Sequence, residues 1–131
     1  SANPKTLMGR LKVPVLSVIP ASALIHEGLA MQYGAFEAPR ADGTFGYGPY
    51  NWREQDIEYM TYIDANLRHV FCAVEGEDFD PTSRAMHLAH ARASLGILID
   101  AICNNTVIDN RPRIRKSVAS SLLAQHTRKV K

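Results

Sequence analysis

The sequence predicts an all-α protein, an antiparallel bundle of four helices preceded by an extended arm. Apolar residues recur at steps of three and four over long segments. Clusters of Pro and Gly divide these segments, and strand-like patterning is confined to residues 13–19, which contain Pro14. Because most connections are short, neighbouring helices should run antiparallel. The 131 residues fit one domain, residues 1–131.

The first two segments are an arm and a helix. Residues 1–20 are expected to form an extended arm that could lie across a partner subunit. A helix is predicted over residues 21–36, after Pro20. Residues 37–52 are rich in Pro and Gly and should form a loop. Its aromatic residues suggest a lid or a base-binding wall.

Three further helices are predicted over residues 54–74, 83–102 and 114–126. In the first of them Asp64 lies on the apolar stripe, where its carboxylate would need a cation such as Arg68 or a metal ion. The second is apolar almost all round and should be the central, buried helix. The third belongs to a basic segment, residues 111–131.

Composition and charge indicate a globular protein that acts with the help of cations. The hydrophobic fraction is 46% and the charged fraction 21%. Residues 111–131 hold seven Lys or Arg and no acid, which leaves the rest with a net charge of −5. An acidic body that works on a polyanion needs metal ions or placed arginines at its site.

The compartment is expected to be the cytoplasm. Arg10, Lys12 and two prolines interrupt the opening segment, so neither a signal peptide nor a membrane span is expected. Cys72 and Cys103 have no CxxC spacing, which favours reduced, packed thiols over a disulfide.

A histidine pair is the first candidate for chemistry. His87 and His90 are three residues apart on the most apolar predicted helix, which places their side chains on one face. Such a pair could hold one ion or one phosphate. The alternative is a pair of hydrogen-bonded core residues, but the acidic loop that precedes them favours function.

That acidic loop spans residues 75–81 and predicts a divalent metal site. Glu77 and Asp80 are the expected ligands for Mg²⁺ or Mn²⁺, and Glu77 could also serve as general base. The alternative for Asp80 is a helix N-cap, with Pro81 at the first helical position. For Glu75 and Asp78 a solvated turn is the preferred interpretation.

Phosphoryl chemistry would depend on metals and placed cations. No Walker-type phosphate loop, GxGxxG turn or GxSxG elbow occurs in the sequence.

A set of ordered motifs resembles a known family. They are Tyr47-Gly-Pro-Tyr-Asn-Trp-Arg53, Asp64-Ala-x-x-Arg-His69, Gly76-Glu-Asp-x-Asp80-Pro and His87-Leu-Ala-His-Ala91. Over about residues 13–102 the sequence resembles the phage and bacterial dATP/dGTP diphosphohydrolase domain. That domain is similar to the MazG-like all-helical nucleotide pyrophosphohydrolases, so a MazG-like bundle is implied. The paired E-x-x-E and E-x-x-D motifs of MazG are missing from the predicted helices, and Glu27 could contribute where the family has acidic residues.

The resemblance implies hydrolysis of a purine nucleoside triphosphate to the monophosphate and pyrophosphate. The substrate would be dGTP, or GTP or dATP, the cofactor Mg²⁺ or Mn²⁺, and the assembly a homo-oligomer, either dimer or tetramer. The nearest likeness is to a phage enzyme associated with 2-aminoadenine DNA, whose dGMP would feed a purine synthetase in the host cytoplasm.

Residue roles follow from combining the resemblance with the residues themselves. The expected catalytic residues are Glu77, Arg68 and His69, and the expected metal ligands are Glu77, Asp80, His87 and His90. Substrate binding is assigned to Tyr47, Asn51, Trp52 and Arg68: Arg68 orients a phosphate, the aromatic rings stack on the base and Asn51 reads its edge. Alternatively, Trp52 caps the core and Arg68 only pairs with Asp64.

Two other functions remain open at this stage. One is a non-enzymatic helical oligomer that binds nucleic acid through the basic tail, for which the signal is weak because no aromatics interleave the charges. The other is pyrophosphate release from a pyrimidine nucleotide. No membrane partner is expected.

Overall fold

The computed structural model describes residues 2–130 and has an all-α fold, as the sequence predicts. Its elements are α1 (Pro4–Arg10), a 3₁₀ turn (Leu16–Val18), α2 (Ala21–Phe36), α3 (Asn51–Glu54), β1 (Ile57–Glu58), α4 (Tyr59–Val74), α5 (His87–Cys103), β2 (Val107–Ile108) and α6 (Ala119–Gln125). The helix predicted over residues 21–36 is confirmed.

Helix α5 is the centre of the fold, as predicted, because both α2 and α4 pack against it. The contact with α2 is made of small side chains: Ala30 meets Ala85, Ala89 and Ala93, and Met31 and Met86 close its edges. Alanines let two helix backbones approach closely, which brings side chains at the ends of the helices within reach of one another.

The start of α4 differs from the prediction. Residues 54–74 do not form one helix, because α3 ends at Glu54 and β1 follows. Strand β1 pairs in parallel with β2, so that Ile57 lies beside Val107. The side chain of Asn110 accepts a hydrogen bond from Met60 N and donates one to Glu58. These bonds tie the start of α4 to the segment after α5 and stop the helix from extending backwards.

Helix α5 begins at His87 rather than at residue 83. Residues 79–86 form a turn that is closed by a bridge between Phe79 and Met86, and Met86 is the N-cap residue. The alternative of Asp80 as helix N-cap with Pro81 behind it is therefore wrong. Asp80 instead caps the turn, because its Oδ1 accepts hydrogen bonds from Thr82 N and Ser83 N.

The two termini also depart from the prediction. The extended arm is wrong for residues 4–10, where Asn3 caps α1 and Pro4 occupies its first position. Residues 13–19 contain a 3₁₀ turn and no strand. The predicted helix over residues 114–126 shortens to α6, whose residues are all exposed. A short helix without packing gains too little to extend further.

Much of the apolar surface faces outward. On α2, Ile25, Leu29 and Phe36 are exposed, and α4 and α5 present similar stripes, Leu67, Phe71 and Val74 on α4 and Leu88, Leu95, Ile99 and Ile102 on α5. Asp64 is exposed as well, so the burial expected for its carboxylate is wrong within this chain. Among residues 2–130, no helix combines the length and apolar character needed to cross a membrane.

Candidate functional site

One cavity of about 630 Å³ lies between α2, α4, α5 and the loop before α3. Its size suits a small organic ligand. Tyr47, Tyr50 and Trp52, from the loop and α3, form its aromatic side, and its polar side carries imidazole, hydroxyl and carboxylate groups next to the Tyr33 ring, which lies edge-on to His90. The aromatic lining is Tyr33, Phe36, Tyr47, Tyr50, Trp52 and Tyr62, and the polar lining includes His69, Asp80, Thr82, Ser83, His90 and Ser94.

The aromatic loop is fastened to the end of α2 by its backbone. Tyr47 N donates to Gly34 O at 3.0 Å, and Gly48 N donates to Ala35 O at 2.9 Å. Gly46 has φ +80°, and a Cβ there would lie 2.5 Å from Ala35 O. The predicted loop therefore has a fixed shape. The loop also contains a bridge between Pro39 and Phe45. It ends at Tyr50 rather than at the predicted residue 52, because α3 begins at Asn51.

Trp52 and Arg53 anchor α3 to α5 through Asp100. Trp52 Nε1 donates to Asp100 Oδ2 at 2.7 Å, and Arg53 binds both carboxylate oxygens. These donors, Arg53 first, lower the pKa of Asp100 to about 2. Trp52 is only 5% exposed. It therefore belongs to the core, and it also lines the cavity.

Asn51 and Tyr50 stand at the mouth of the cavity. Asn51 Nδ2 donates to Gly48 O at 3.1 Å, so one of its amide hydrogens is already used within the loop. Tyr50 adopts a left-handed conformation with φ 57° and its ring tilts against Trp52. Tyr50 is 56% exposed, and the Arg53 guanidinium lies over its ring, 4.5 Å from the centroid.

Three histidines are linked at the polar side: His69 and His90 line the cavity, and His87 contacts His69 from outside the lining. His87 Nε2 lies 2.7 Å from Glu77 Oε1, and His87 Nδ1 lies 2.9 Å from His69 Nδ1. The His69 ring stacks on His90, with 4.6 Å between centroids and 12° between planes. His90 Nε2 contacts Ser83 Oγ at 2.6 Å. The five side chains form one continuous polar chain.

The turn after α4 places Glu77 in this chain. Gly76, at φ +101°, donates to Ala73 O, and Glu77 N donates to Cys72 O at 3.0 Å. This is the Schellman arrangement that ends many helices, and it needs a residue that tolerates positive φ. His87 N donates to Asp78 O at 2.9 Å. The turn and the start of α5 are thus held together by backbone bonds.

The hydrogen bond to Glu77 determines whether His87 Nδ1 presents a hydrogen or a lone pair to its other neighbour, His69. A carboxylate can only accept, so His87 Nε2 carries the hydrogen and a neutral His87 keeps its lone pair on Nδ1. That nitrogen can take either the N–H of His69 or a metal ion. His87 is 3% exposed, so its ring has little room to turn away.

The remaining groups have shifted ionisation. Burial first, then repulsion from neighbouring histidines, lowers the pKa of His69, and burial lowers the pKa of His90. Burial of Asp80 acts to raise its pKa, but the N–H donors of Ser83 and Thr82 and the nearby histidines outweigh it and the pKa falls. At neutral pH the cavity therefore presents neutral imidazoles beside a carboxylate.

Two groups of side chains could hold a divalent cation. The ligand atoms of His69, Asp80 and His87 all lie within 4.8 Å of one another, and so do those of Cys72, Glu77 and His87. Two imidazoles and one carboxylate fit Mn²⁺ better than Mg²⁺, which prefers oxygen ligands. His90, a predicted ligand, belongs to neither group.

Other predicted residues lie apart from the cavity. Arg68 and Asp64 are exposed on α4, and no ion pair joins them within residues 2–130. Arg68 is not part of the lining, and neither is Glu77. Glu27 lies 3.8 Å from Arg92 on the face between α2 and α5.

Sequence reasoning missed several residues of this region. Ser83 follows Asp80 and precedes the histidine pair, a position that could have marked it. Tyr33 and Tyr62 were hidden in helical patterns that read as core. Asp100 was the signal most open to detection, because an acid on an apolar helix needs partners.

One comparison with known proteins gives a match. A family model described as dATP/dGTP diphosphohydrolase, N-terminal, matches residues 2–111. No curated protein and no solved structure matches the chain.

Proposed function

Because the chain belongs to the family of dATP/dGTP diphosphohydrolase N-terminal domains, we propose that it hydrolyses a purine nucleoside triphosphate to the monophosphate and pyrophosphate with a divalent metal ion. The preferred substrate is dGTP, with GTP or dATP as further substrates. The observation that carries the proposal is the two-sided cavity, with aromatic rings along one side and the histidine and aspartate groups at the other.

The aromatic side is assigned to the base. Tyr47 and Tyr50 are 51% and 56% exposed and can stack on a purine through the ring faces that Arg40 and Arg53 do not cover, with Trp52 in the lining beside them. Asn51 lies on the same side and keeps its side-chain carbonyl for the edge of the base. A purine offers these rings a larger face than a pyrimidine does, which favours the purine substrate.

The polar side is assigned to the phosphates and the metal. Asp80, His69 and His87 would hold Mn²⁺ or Mg²⁺, which when bound neutralises phosphate charge and activates water. Glu77 holds His87 in the tautomer whose Nδ1 keeps a lone pair for the metal. We therefore assign Glu77 a positioning role rather than direct proton transfer. Ser83 and His90 line the cavity together, and the Ser83 hydroxyl can pass a proton from the attacking water to His90 Nε2.

Arg68 has a different place in this proposal. Its side chain lies outside the cavity lining, although its charge contributes to the lowered pKa of His69. We assign it to electrostatic attraction of the triphosphate toward the site rather than to a direct contact.

The working unit is proposed to be a homo-oligomer, a dimer or a tetramer. The buried hydrophobic core consists of alanines together with Trp52 and Leu98, whereas apolar stripes on α2, α4 and α5 are exposed. A second copy presents the same stripes and can cover them by two-fold symmetry.

The biological setting of the proposal follows the likeness to MazZ, the phage enzyme associated with 2-aminoadenine DNA. The dGMP formed in the cytoplasm of the infected cell would feed the synthesis of the modified purine nucleotide.

Product analysis tests the proposal. The protein is incubated with dGTP, GTP, dATP and dCTP, with Mn²⁺, Mg²⁺ or EDTA, and the products are separated by ion-exchange chromatography. We expect dGMP and pyrophosphate, faster turnover with Mn²⁺ than with Mg²⁺, and none in EDTA. Formation of dGDP and phosphate, faster cleavage of dCTP, or turnover in EDTA would contradict the proposal. Metal-independent, salt-sensitive retardation of DNA without any hydrolysis would favour a nucleic-acid-binding oligomer instead.

A further inference from the structure

We propose a second metal site in this protein, for a thiophilic divalent cation of the zinc class, formed by Cys72, Glu77 and His87. The thiol sulfur, a carboxylate oxygen and an imidazole nitrogen of these residues lie within 4.8 Å of one another. None of the three side chains lines the cavity, and the site adjoins it through His87, whose Nδ1 lies 2.9 Å from Nδ1 of the lining residue His69.

The backbone holds the three ligands in place without a metal. Cys72 lies in the last turn of α4, and the Schellman turn joins Glu77 N to Cys72 O. His87 N is bonded to Asp78 O, the residue after Glu77. The turn over Gly76 therefore brings the end of one helix and the start of the next to one point. Binding would order few additional groups, which favours affinity.

The donor set selects the class of metal. A thiolate is a soft ligand that favours Zn²⁺ over Mg²⁺ or Ca²⁺, and sulfur, nitrogen and oxygen together match the ligands of tetrahedral zinc. The side chain of Glu77 is 54% exposed, whereas that of His87 is 4% exposed. Solvent can therefore reach the site from the Glu77 side and supply the fourth ligand as water.

Proton balance links this site to the cavity. The cation displaces the thiol proton of Cys72, which goes to solvent. It also takes the place of the hydrogen on His87 Nε2, the nitrogen that faces Glu77 at 2.7 Å. His87 stays neutral by taking a hydrogen on Nδ1 through exchange with solvent, and this N–H donates to His69 Nδ1 at 2.9 Å, while neutral His69 shifts its own hydrogen to Nε2. Both nitrogens of His87 are then engaged.

It follows that zinc at this site opposes a metal at the group of His69, Asp80 and His87. His87 can offer a lone pair on Nδ1 or on Nε2 but not on both while it keeps one hydrogen. This consequence, unlike the site itself, rests on the proposed function. Zinc should therefore inhibit the hydrolysis that Mn²⁺ supports.

Cobalt spectroscopy tests the site independently of turnover. Co²⁺ is titrated into the reduced full-length protein, into Cys72→Ser and into Cys103→Ser, the matched control in which an exposed thiol is removed. We expect a near-ultraviolet thiolate-to-cobalt band that saturates at one equivalent in the wild type and in Cys103→Ser and is missing from Cys72→Ser. Circular dichroism checks that all three are folded. A missing band in the wild type, or an unchanged band in Cys72→Ser, would overturn the site.

A second measurement tests the coupling. Zn²⁺ is added to Mn²⁺-supported dGTP hydrolysis, and we expect at least tenfold weaker inhibition in Cys72→Ser than in the wild type or Cys103→Ser. Equal inhibition of all three proteins would overturn the coupling. If no triphosphate is hydrolysed at all, the proposed function fails, while the cobalt band still decides the metal site.

Discussion

Asp80 combines a structural and a chemical role that one substitution can separate. Its Oδ1 caps the turn by accepting from Thr82 N and Ser83 N, and its carboxylate faces the histidines. Asn can still cap the turn but is a poorer metal ligand. We expect Asp80→Asn to weaken Mn²⁺ binding by about 10- to 100-fold, with a comparable loss of turnover and a nearly unchanged unfolding midpoint.

Calorimetric titration of Mn²⁺ and thermal unfolding measure these two effects. Asp42→Asn is the matched control, because Asp42 Oδ1 also accepts from a backbone N–H in a turn but lies outside the nucleotide cavity. Unchanged Mn²⁺ affinity in Asp80→Asn would remove Asp80 from the proposed metal group.

At the residue scale, the sequence predicted which histidines lie in the polar region better than it predicted their hydrogen-bond partners. Spacing alone placed His87 and His90 on one face of a helix, and the structure brings both to the polar region. Spacing gave no information on which nitrogen meets which partner. The stack of His69 on His90 joins α4 to α5. It depends on how the helices pack, which no local pattern encodes.

At the scale of elements, Asp100 is expected to hold the aromatic side of the cavity in place. Its hydrogen bonds to Trp52 and Arg53 join α3 to α5. Asp100→Asn loses the charge that Arg53 requires, so we expect a lower unfolding midpoint and a red shift in the fluorescence of Trp52, the single tryptophan. Asp109→Asn is the control, since among residues 2–130 Asp109 pairs only with the nearby Arg111. Equal effects of the two substitutions would contradict an anchoring role.

The pH dependence of this contact has a definite sign. The pKa of Asp100 falls from 3.8 to about 2 in the folded protein. Its contribution to stability is therefore complete above pH 3.8 and is lost as the pH falls through about 2. Trp52 fluorescence should therefore change as the pH of the wild-type protein falls through about 2. This change should be missing from Asp100→Asn.

Gly46 is expected to control the shape of the aromatic loop. Its φ of +80° disfavours any side chain, and an added Cβ would lie 2.5 Å from Ala35 O. We expect Gly46→Ala to destabilise the fold by about 1–3 kcal/mol and to weaken nucleotide binding. Gly43→Ala is the control, because Gly43 has φ +84° but no heavy atom within 4 Å of its added Cβ. Chemical denaturation measures the loss of stability in Gly46→Ala and in Gly43→Ala. Equal losses in the two variants would mean that backbone strain alone, without the contact to Ala35 O, explains the destabilisation.

Helix interiors and both ends of α2 were predictable from sequence, but the starts of α4 and α5 were not. The pattern of α2 is bounded by Pro20 and by the Gly-rich loop, so both of its ends are written locally. The start of α4 is set by a long-range bond instead, and the start of α5 by a bridge within the turn that precedes it. Asn110 holds Met60 N, and the bridge of Phe79 to Met86 ends the turn before His87. The apolar periodicity continues through the starts of α4 and α5 and does not indicate where either helix begins.

At the scale of the whole molecule, the periodic stripes do not mark the core of one chain. Phe71 and Val74 on α4 are exposed, whereas the buried contact between α2 and α5 consists largely of alanines. An apolar stripe predicts that its side chains are buried, but not whether they pack within the same chain or against a second copy. This is why the sequence indicates helices correctly and still gives the wrong interior.

A charge on the α5 stripe should therefore dissociate the proposed homo-oligomer without unfolding the chain. Ile99 is 61% exposed, so Ile99→Glu changes little within one subunit. Burial of an Ile side chain contributes about 1.5–3 kcal/mol and occurs twice in a two-fold dimer, so dimer affinity should fall by roughly two to four orders of magnitude. Light scattering after size-exclusion chromatography measures the mass. Val130→Glu introduces the same charge at a position that is 99% exposed and should leave the mass unchanged. A monomeric wild type, or an Ile99→Glu variant that keeps the wild-type mass, would show that another surface or no surface joins the subunits.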